Sequence, residues 1–220
     1  RDYYASRGLG DVYKRQLFFP PRCPFCGAVI KPEELACADC FALFPKEPFV
    51  RRLFGETCVA PFRYDGLFRK AVIRFKFYGK RQYAGRLARA VFGALKREYP
   101  DTVFNAVTCV PLSRKRRRER GYNQSELLAK ELARLLCVPY LPLLQKEKDN
   151  LPQHSLPKGM RCENVRGVYT FCGKKQDVSG RTILLVDDIV TTGNTLHECS
   201  RLLKRAGVAS TVCAAVASVE

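Results

Sequence analysis

The 220 residues carry 39 Lys and Arg against 21 Asp and Glu, a formal net charge of +18, with 46% apolar residues. That apolar share excludes wholesale disorder, and no run approaches the roughly 18–20 uninterrupted apolar residues of a membrane-crossing helix. One sizeable domain plus a small module fits the length, and the charge makes nucleic-acid binding the default reading.

Residues 1–16 have neither helical nor strand periodicity. Their end, Asp11 to Gln16, resembles one reading frame of a sequencing-library adapter, so the stretch is expected to be non-native. Two knuckles follow, Cys23-Pro24-Phe25-Cys26 and, ten residues on, Cys37-Ala38-Asp39-Cys40. Two C-x-x-C pairs offer four thiolates to one tetrahedral zinc ion. The competing reading, two redox or disulfide pairs, fits less well, because redox pairs occur singly beside a βαβ pattern. Cys58, Cys109, Cys137, Cys162, Cys172, Cys199 and Cys213 are scattered; several sit in apolar runs, and these read as small core residues. Zinc together with free thiols points to the cytoplasm. The zinc module with its Pro- and Arg-bearing connector is expected over 17–58, and the larger domain over 59–220.

The larger domain alternates helical and strand signals. Phe68, Ala71, Val72 and Phe75 share one helix face, as do Ala84, Leu87, Ala88, Val91 and Leu95. Residues 104–110 read as a strand closed by Pro111. Asn123 or Ser125 caps a helix that presents Leu128, Leu132 and Leu135. Residues 165–171 form a short strand. Residues 182–186 have the continuous apolar character of a strand buried on both faces. A helix over 194–206, stopped by Gly207, and a last strand over 208–216 complete the pattern. Such alternation predicts an α/β fold with a parallel sheet flanked by helices. His154 and His197 read as structural or solvent-facing.

The strongest signal is Ile183-Leu184-Leu185-Val186-Asp187-Asp188-Ile189-Val190-Thr191-Thr192-Gly193-Asn194-Thr195. An apolar strand ends in two carboxylates, and a Thr- and Gly-rich turn then opens a helix. Ligands of open α/β sheets bind beyond the carboxyl ends of the strands. The turn offers backbone N–H groups, hydroxyls and a helix N-terminus, all favourable to a phosphate. Asp187 and Asp188 would repel that phosphate, so their partners are sugar hydroxyls or a magnesium ion held through water. A carboxylate pair beside a phosphate cradle describes a ribose phosphate.

This segment resembles the signature of type I phosphoribosyltransferases, which bind phosphoribosyl pyrophosphate (PRPP). The resemblance implies that Asp187 and Asp188 hold the ribose hydroxyls with Mg²⁺ nearby, and that Thr191, Thr192, Gly193, Asn194 and Thr195 hold the 5′-phosphate. A second segment narrows the family. Val110-Pro111-Leu112 runs into Ser113-Arg114-Lys115-Arg116-Arg117-Arg118-Glu119-Arg120 and then Gly121-Tyr122-Asn123-Gln124. With the distal residues Gln153, Arg161, Asn164, Val165, Arg166 and Gly167, and with the N-terminal knuckles, this is similar to the ComF family of competence proteins. The type I fold closes a flexible loop over pyrophosphate, which implies that role for the basic run, with Arg114, Lys115, Arg116 and Arg120 facing the leaving group. A solvated loop or a nucleic-acid patch is the alternative for the same run.

The resemblance implies a PRPP-binding protein of natural competence, or of the use of external DNA, that transfers a phosphoribosyl group to an acceptor the residues do not name. Purine-salvage relatives carry a carboxylate where this chain has Thr191, which argues against a purine base. The alternative is a non-catalytic scaffold for single-stranded DNA or a helicase, with Tyr122, Phe75, Phe77 and Tyr78 among basic residues. The charge itself is localised: residues 67–97 hold ten basic and no acidic residues.

Overall fold

The computed structural model describes residues 20–147 and 167–219. Residues 1–16, His154, Cys162, and Gln153, Arg161, Asn164, Val165 and Arg166 of the distal element lie outside the described residues. In chain order the elements are α1 (Ala38–Ala42), β1 (Phe49–Leu53), β2 (Glu56–Ala60), β3 (Phe62–Arg63), α2 (Gly66–Phe77), α3 (Ala84–Glu98), β4 (Ala106–Cys109), α4 (Arg114–Arg120), α5 (Gln124–Leu136), β5 (Leu144–Lys146), β6 (Tyr169–Phe171), β7 (Thr182–Val186), β8 (Ile189–Val190), α6 (Asn194–Arg205), β9 (Ser210–Ala214) and β10 (Ala217–Ser218).

The central sheet has the order β1-β2-β9-β7-β4. Its last four strands run parallel, and β1 joins the edge antiparallel. Successive side chains of a strand point to opposite faces, and β7 divides accordingly. Leu184 and Val186 pack into the core under α2, α3 and α5, whereas Ile183 and Leu185 pack into the core with Cys199 and Leu203 of α6. All four are fully buried, each contributing about 2 kcal/mol of transfer free energy. The helix faces read from periodicity are those that face the sheet: Phe68, Ala71, Val72 and Phe75 on α2, and Ala84, Leu87, Ala88, Val91 and Leu95 on α3.

A small parallel sheet, β3-β10-β8, caps the carboxyl end of the main one. β8 starts directly after Asp188, so this cap borders the acidic pair.

Two expectations are changed by the fold. The Pro- and Arg-bearing connector is not a linker. It forms the β1–β2 hairpin, and Cys58 and Val59 of β2 pair with Cys213 and Ala214 of β9, so the sheet begins inside the 17–58 span. The run Arg114–Arg120 is not a loop but a two-turn helix. Ser113 Oγ accepts from Arg116 N–H at its start, and Gly121 ends it in the left-handed region (φ 74°).

The zinc module rests on α2 and α3 through arginines that donate to its backbone carbonyls. Arg74 reaches Phe25 (2.8 Å), Arg89 reaches Glu33 (2.7 Å), and Arg97 reaches Lys46. Arg86 serves three carbonyls, those of Glu34 (2.9 Å), Pro32 (3.2 Å) and Lys31 (3.5 Å). Beside them Phe25, Phe44, Phe62 and Phe68 form an aromatic cluster, with Phe62 and Phe68 stacked at 4.3 Å.

Candidate functional site

The four knuckle sulfurs of Cys23, Cys26, Cys37 and Cys40 all lie within 4.8 Å of one another. A zinc tetrahedron with bonds of about 2.3 Å has sulfur–sulfur edges of about 3.8 Å, so the arrangement fits that ion. Among the described residues this is the one such group of potential metal ligands. Burial works against ionising Cys23, but backbone hydrogen bonds from Cys26, Cys37 and Phe25 together outweigh it and bring the thiol down to about 7. Cys40 is pushed up, by burial first and then by Cys37 and Cys26, the crowding of thiols that a bound cation relieves.

The second site opens where β7 ends. Asp187 is half-buried and Asp188 is buried. Asp187 Oδ1 accepts from Ser125 Oγ (2.9 Å) and from the Asp188 N–H (2.8 Å). Asp188 Oδ2 accepts from Gln124 Nε2 (2.6 Å) and pairs with Lys76 Nζ (2.9 Å). The two carboxyls therefore differ: Asp188 has a cation, and Asp187 has neutral donors only. Burial, and next the charge on Asp188, push the Asp187 carboxyl up to about 7, against the pull of Lys76.

A cavity of about 880 Å³ collects Asp187, Asp188 and all of Thr191, Thr192, Gly193, Asn194 and Thr195. Arg116 and Arg120 of α4 line it from across the opening, whereas Arg114 and Lys115 do not. The helical rise of α4 explains the split: residues four apart share a face, so Arg116 and Arg120 point one way together. Arg120 lies over the Phe77 ring (4.8 Å), and its buried Nη1 has no hydrogen-bond partner among the described residues. Phe75, grouped with the DNA-facing aromatics above, is fully buried; Phe77 and Tyr78 are exposed.

Each residue of Gly121–Ser125 has its own structural role. Gly121 ends α4. Tyr122 donates its hydroxyl to the Phe75 carbonyl and lies under the Arg81 guanidinium (4.8 Å). Asn123 caps α5 through Oδ1 to the Ser125 N–H (3.0 Å), and its amide donates to the Val110 carbonyl (3.1 Å). Gln124 and Ser125 then hold the two carboxyls. Their roles, like that of Lys76, were not readable from spacing. The motif Gly121-Tyr122-Asn123-Gln124 was the only available signal, and what it touches is far away in sequence.

The phosphate-type turn is seated from behind. Gly193 has φ 78°, and a Cβ there would lie 2.6 Å from Leu53 Cδ1, so both the backbone conformation and the neighbour require glycine. Arg51 Nη1 donates to the Thr191 carbonyl at 2.6 Å. Thr192 Oγ1 is buried without a hydrogen-bond partner among the described residues. His197, in the first turn of α6, stacks against Phe54 with ring centroids 4.7 Å apart.

Residues 123–219 match the family model of the phosphoribosyl transferase domain, and residues 15–68 match that of the double zinc ribbon domain. The chain is 30% identical to competence protein F of Haemophilus influenzae, over 94% of this chain and 88% of that protein. It is 30% identical to competence protein ComFC of Bacillus subtilis, over 86% and 74% of the respective chains. The DNA utilization protein YhgH of Escherichia coli is 29% identical over 86% and 80%. The Cys₄ group and the ribbon match together support structural zinc. No helix of the described residues is long and apolar enough to cross a membrane.

Proposed function

The chain belongs to the competence protein F family, which joins a phosphoribosyltransferase domain to a zinc ribbon, and from that premise we propose that its main cavity binds PRPP with Mg²⁺ in the service of DNA uptake or the use of external DNA. The observation that carries this reading is a single cavity that brings together the Asp187–Asp188 pair, a phosphate-type turn, and Arg116 and Arg120, with Glu119, Arg69, Lys76 and Lys146 also in its wall. The 5′-phosphate would sit in the Thr191–Thr195 turn. Asp187 and Asp188 would take the ribose hydroxyls and, through water, the magnesium ion, whose hard oxygen-ligand preference suits carboxylates. Pyrophosphate would face Arg116 and Arg120. When bound, the ion would neutralise part of the pyrophosphate charge.

The chain's own contribution to displacement at ribose C1 is then electrostatic. Arg116 and Arg120 meet the charge that grows on the leaving pyrophosphate, in a partly desolvated site where such donors act strongly. Asp188, held by Lys76 and Gln124, is oriented before any ligand arrives. Mg²⁺–PRPP should raise the melting temperature of the wild type, and the double substitution Asp187→Asn with Asp188→Asn should abolish the rise. A wild type that shows no shift sinks the reading.

A second reading has its own observation. A groove of about 440 Å³ on the far side of α2 is lined by Arg22, Lys70, Arg74, Lys80, Tyr78 and Tyr83, and Ile73 borders both it and the main cavity. Arg22 and Arg74 are engaged with the Gly27 and Phe25 carbonyls, which leaves Lys70 and Lys80 among the groove's rings, with Phe77 and Tyr78 exposed at the same helix end, a pattern that tracks a single-stranded nucleic acid. The groove supports a DNA-binding scaffold role, with or without turnover. Binding of a labelled oligonucleotide by the wild type but not by Lys70→Ala/Lys80→Ala would support it; equal binding by both would remove it.

A further inference from the structure

The tip of the β1–β2 hairpin has an unusual composition for its geometry. Leu53 pairs with Glu56, so Phe54 and Gly55 form a two-residue turn, and both have positive φ (55° and 80°). Such primed turns favour Asn or Asp followed by Gly, because those residues tolerate the left-handed region. Phenylalanine does not, and a bulky residue held there is an outlier that calls for a compensating contact. Over half of the Phe54 surface faces solvent (52%), so burial does not compensate. Its contact is the His197 ring, 4.7 Å away at 34°, in the first turn of α6.

The neighbouring residues of β1 reach the same target. Arg51 donates to the Thr191 carbonyl (2.6 Å), and the Leu53 side chain fills the space behind Gly193. His197 N–H donates to the Gly193 carbonyl (2.8 Å), so Thr191, Gly193 and His197 are successive points along one loop and helix start. One strand and its turn therefore touch that loop at three places, all from the side away from the cavity.

We propose that the β1–β2 hairpin tip is the positioning element of the phosphate loop, with Arg51, Leu53 and Phe54 setting the conformation in which Thr191–Thr195 receives its anion. None of the three touches the ligand; they act through the loop. The proposal rests on the phosphate-loop reading given above. It accounts for the phenylalanine: the turn accepts an unfavourable residue because that residue seats the hairpin on α6. Phe54 also lies within the 15–68 span that matches the zinc ribbon, so the module's docking and the loop's geometry share one segment of chain.

Phe54→Asn separates the two roles of the residue, since asparagine suits the turn but cannot stack. The variant is expected to melt at or above the wild-type temperature while its Kd for Mg²⁺–PRPP rises about tenfold, the scale of one lost positioning contact. Phe54→Tyr, which keeps the ring, should bind as the wild type does. In ligand-free protein, amide hydrogen exchange over Thr191–Thr195 should quicken in Phe54→Asn and stay unchanged in Phe54→Tyr. Unchanged exchange in Phe54→Asn overturns the proposal whatever the affinity. Faster exchange with wild-type affinity overturns the link to the ligand. Should the wild type itself fail to bind Mg²⁺–PRPP, the substrate reading fails, and the exchange measurement alone still decides on the hairpin.

Discussion

Two arginine-rich stretches give this chain much of its charge, and they are used in opposite ways. In 67–97, Arg74, Arg86, Arg89 and Arg97 face inward to the zinc module, where they donate to backbone carbonyls. In 114–120 the side chains stand around a short helix that buries none of its residues, and Arg116 and Arg120 face the cavity. Those four arginines of the first stretch are structural glue between two parts of the fold; the second stretch is a charged surface beside an opening. A net charge of +18 is thus a poor map of where an anion binds, because a guanidinium that already holds carbonyls is not available to phosphate.

The largest expected effect breaks the first half of that comparison. Cys23→Ser, or chelation of the wild type, should remove the metal and with it the surface on which the four arginines rest. Structural zinc contributes on the order of 10 kcal/mol to small metal-bound folds, so the module should unfold. Metal analysis should give one zinc per wild-type chain and none in the variant. A variant that keeps its metal or its melting temperature would refute the assignment.

Arg86→Ala comes next. It removes three hydrogen bonds to the carbonyls of Glu34, Pro32 and Lys31, one part-buried and two exposed, each with a net contribution of about 1 kcal/mol. Denaturant unfolding should show a loss of about 3 kcal/mol. Arg116→Ala should show almost none, because that side chain lacks a comparable partner set among the described residues and lies at the cavity edge. Equal losses would erase the distinction between the two stretches.

Lys76 crosses the boundary, for it lies in the first stretch yet serves the cavity through Asp188. Its influence can be read from pH. The folded Asp187 carboxyl stands at about 7, above its ordinary 3.8. Between those values the folded chain holds a proton that the unfolded chain has lost. The group therefore stabilises at low pH, and that contribution falls as pH rises through about 7, by at most about 1.4 kcal/mol per pH unit. Lys76→Met removes the cation that opposes the shift, so the fall should move to higher pH. A stability profile that does not move would show that Lys76 leaves Asp187 untouched.

What the sequence made legible follows from range. The β7–turn–α6 segment was readable because an apolar strand, two carboxylates and a turn are contiguous, and the faces of α2 and α3 because burial repeats with the helical period. The run Arg114–Arg120 carries no apolar face, so its charge pointed to a loop. Its helix comes from local signals that outweigh the repulsion: good helix formers, Ser113 at the start and Gly121 at the end. Lys76 on Asp188, Gln124 and Ser125 on the acidic pair, and the arginines on the zinc module join residues far apart in the chain. No spacing rule encodes such pairs; only the packed structure brings them together.

The smallest effect is the sharpest on the comparison itself. If single-stranded DNA binds through charge, log affinity falls linearly with log salt, with a slope near −0.7 for each phosphate neutralised. Each arginine that meets a phosphate adds about one such contact. Arg116→Ala with Arg120→Ala should therefore flatten the slope by about 1.4 if the α4 surface is the DNA site. Arg89→Ala should leave it unchanged, since Arg89 is engaged with the Glu33 carbonyl (2.7 Å). The measurement is fluorescence anisotropy of a labelled oligonucleotide over a salt series, which compares slopes and so is indifferent to modest losses of fold stability. A flatter slope in Arg89→Ala would return the 67–97 stretch to the nucleic-acid surface. A flatter slope in neither variant would shift the DNA site to Lys70 and Lys80 in the groove beyond α2, and leave Arg116 and Arg120 to the pyrophosphate alone.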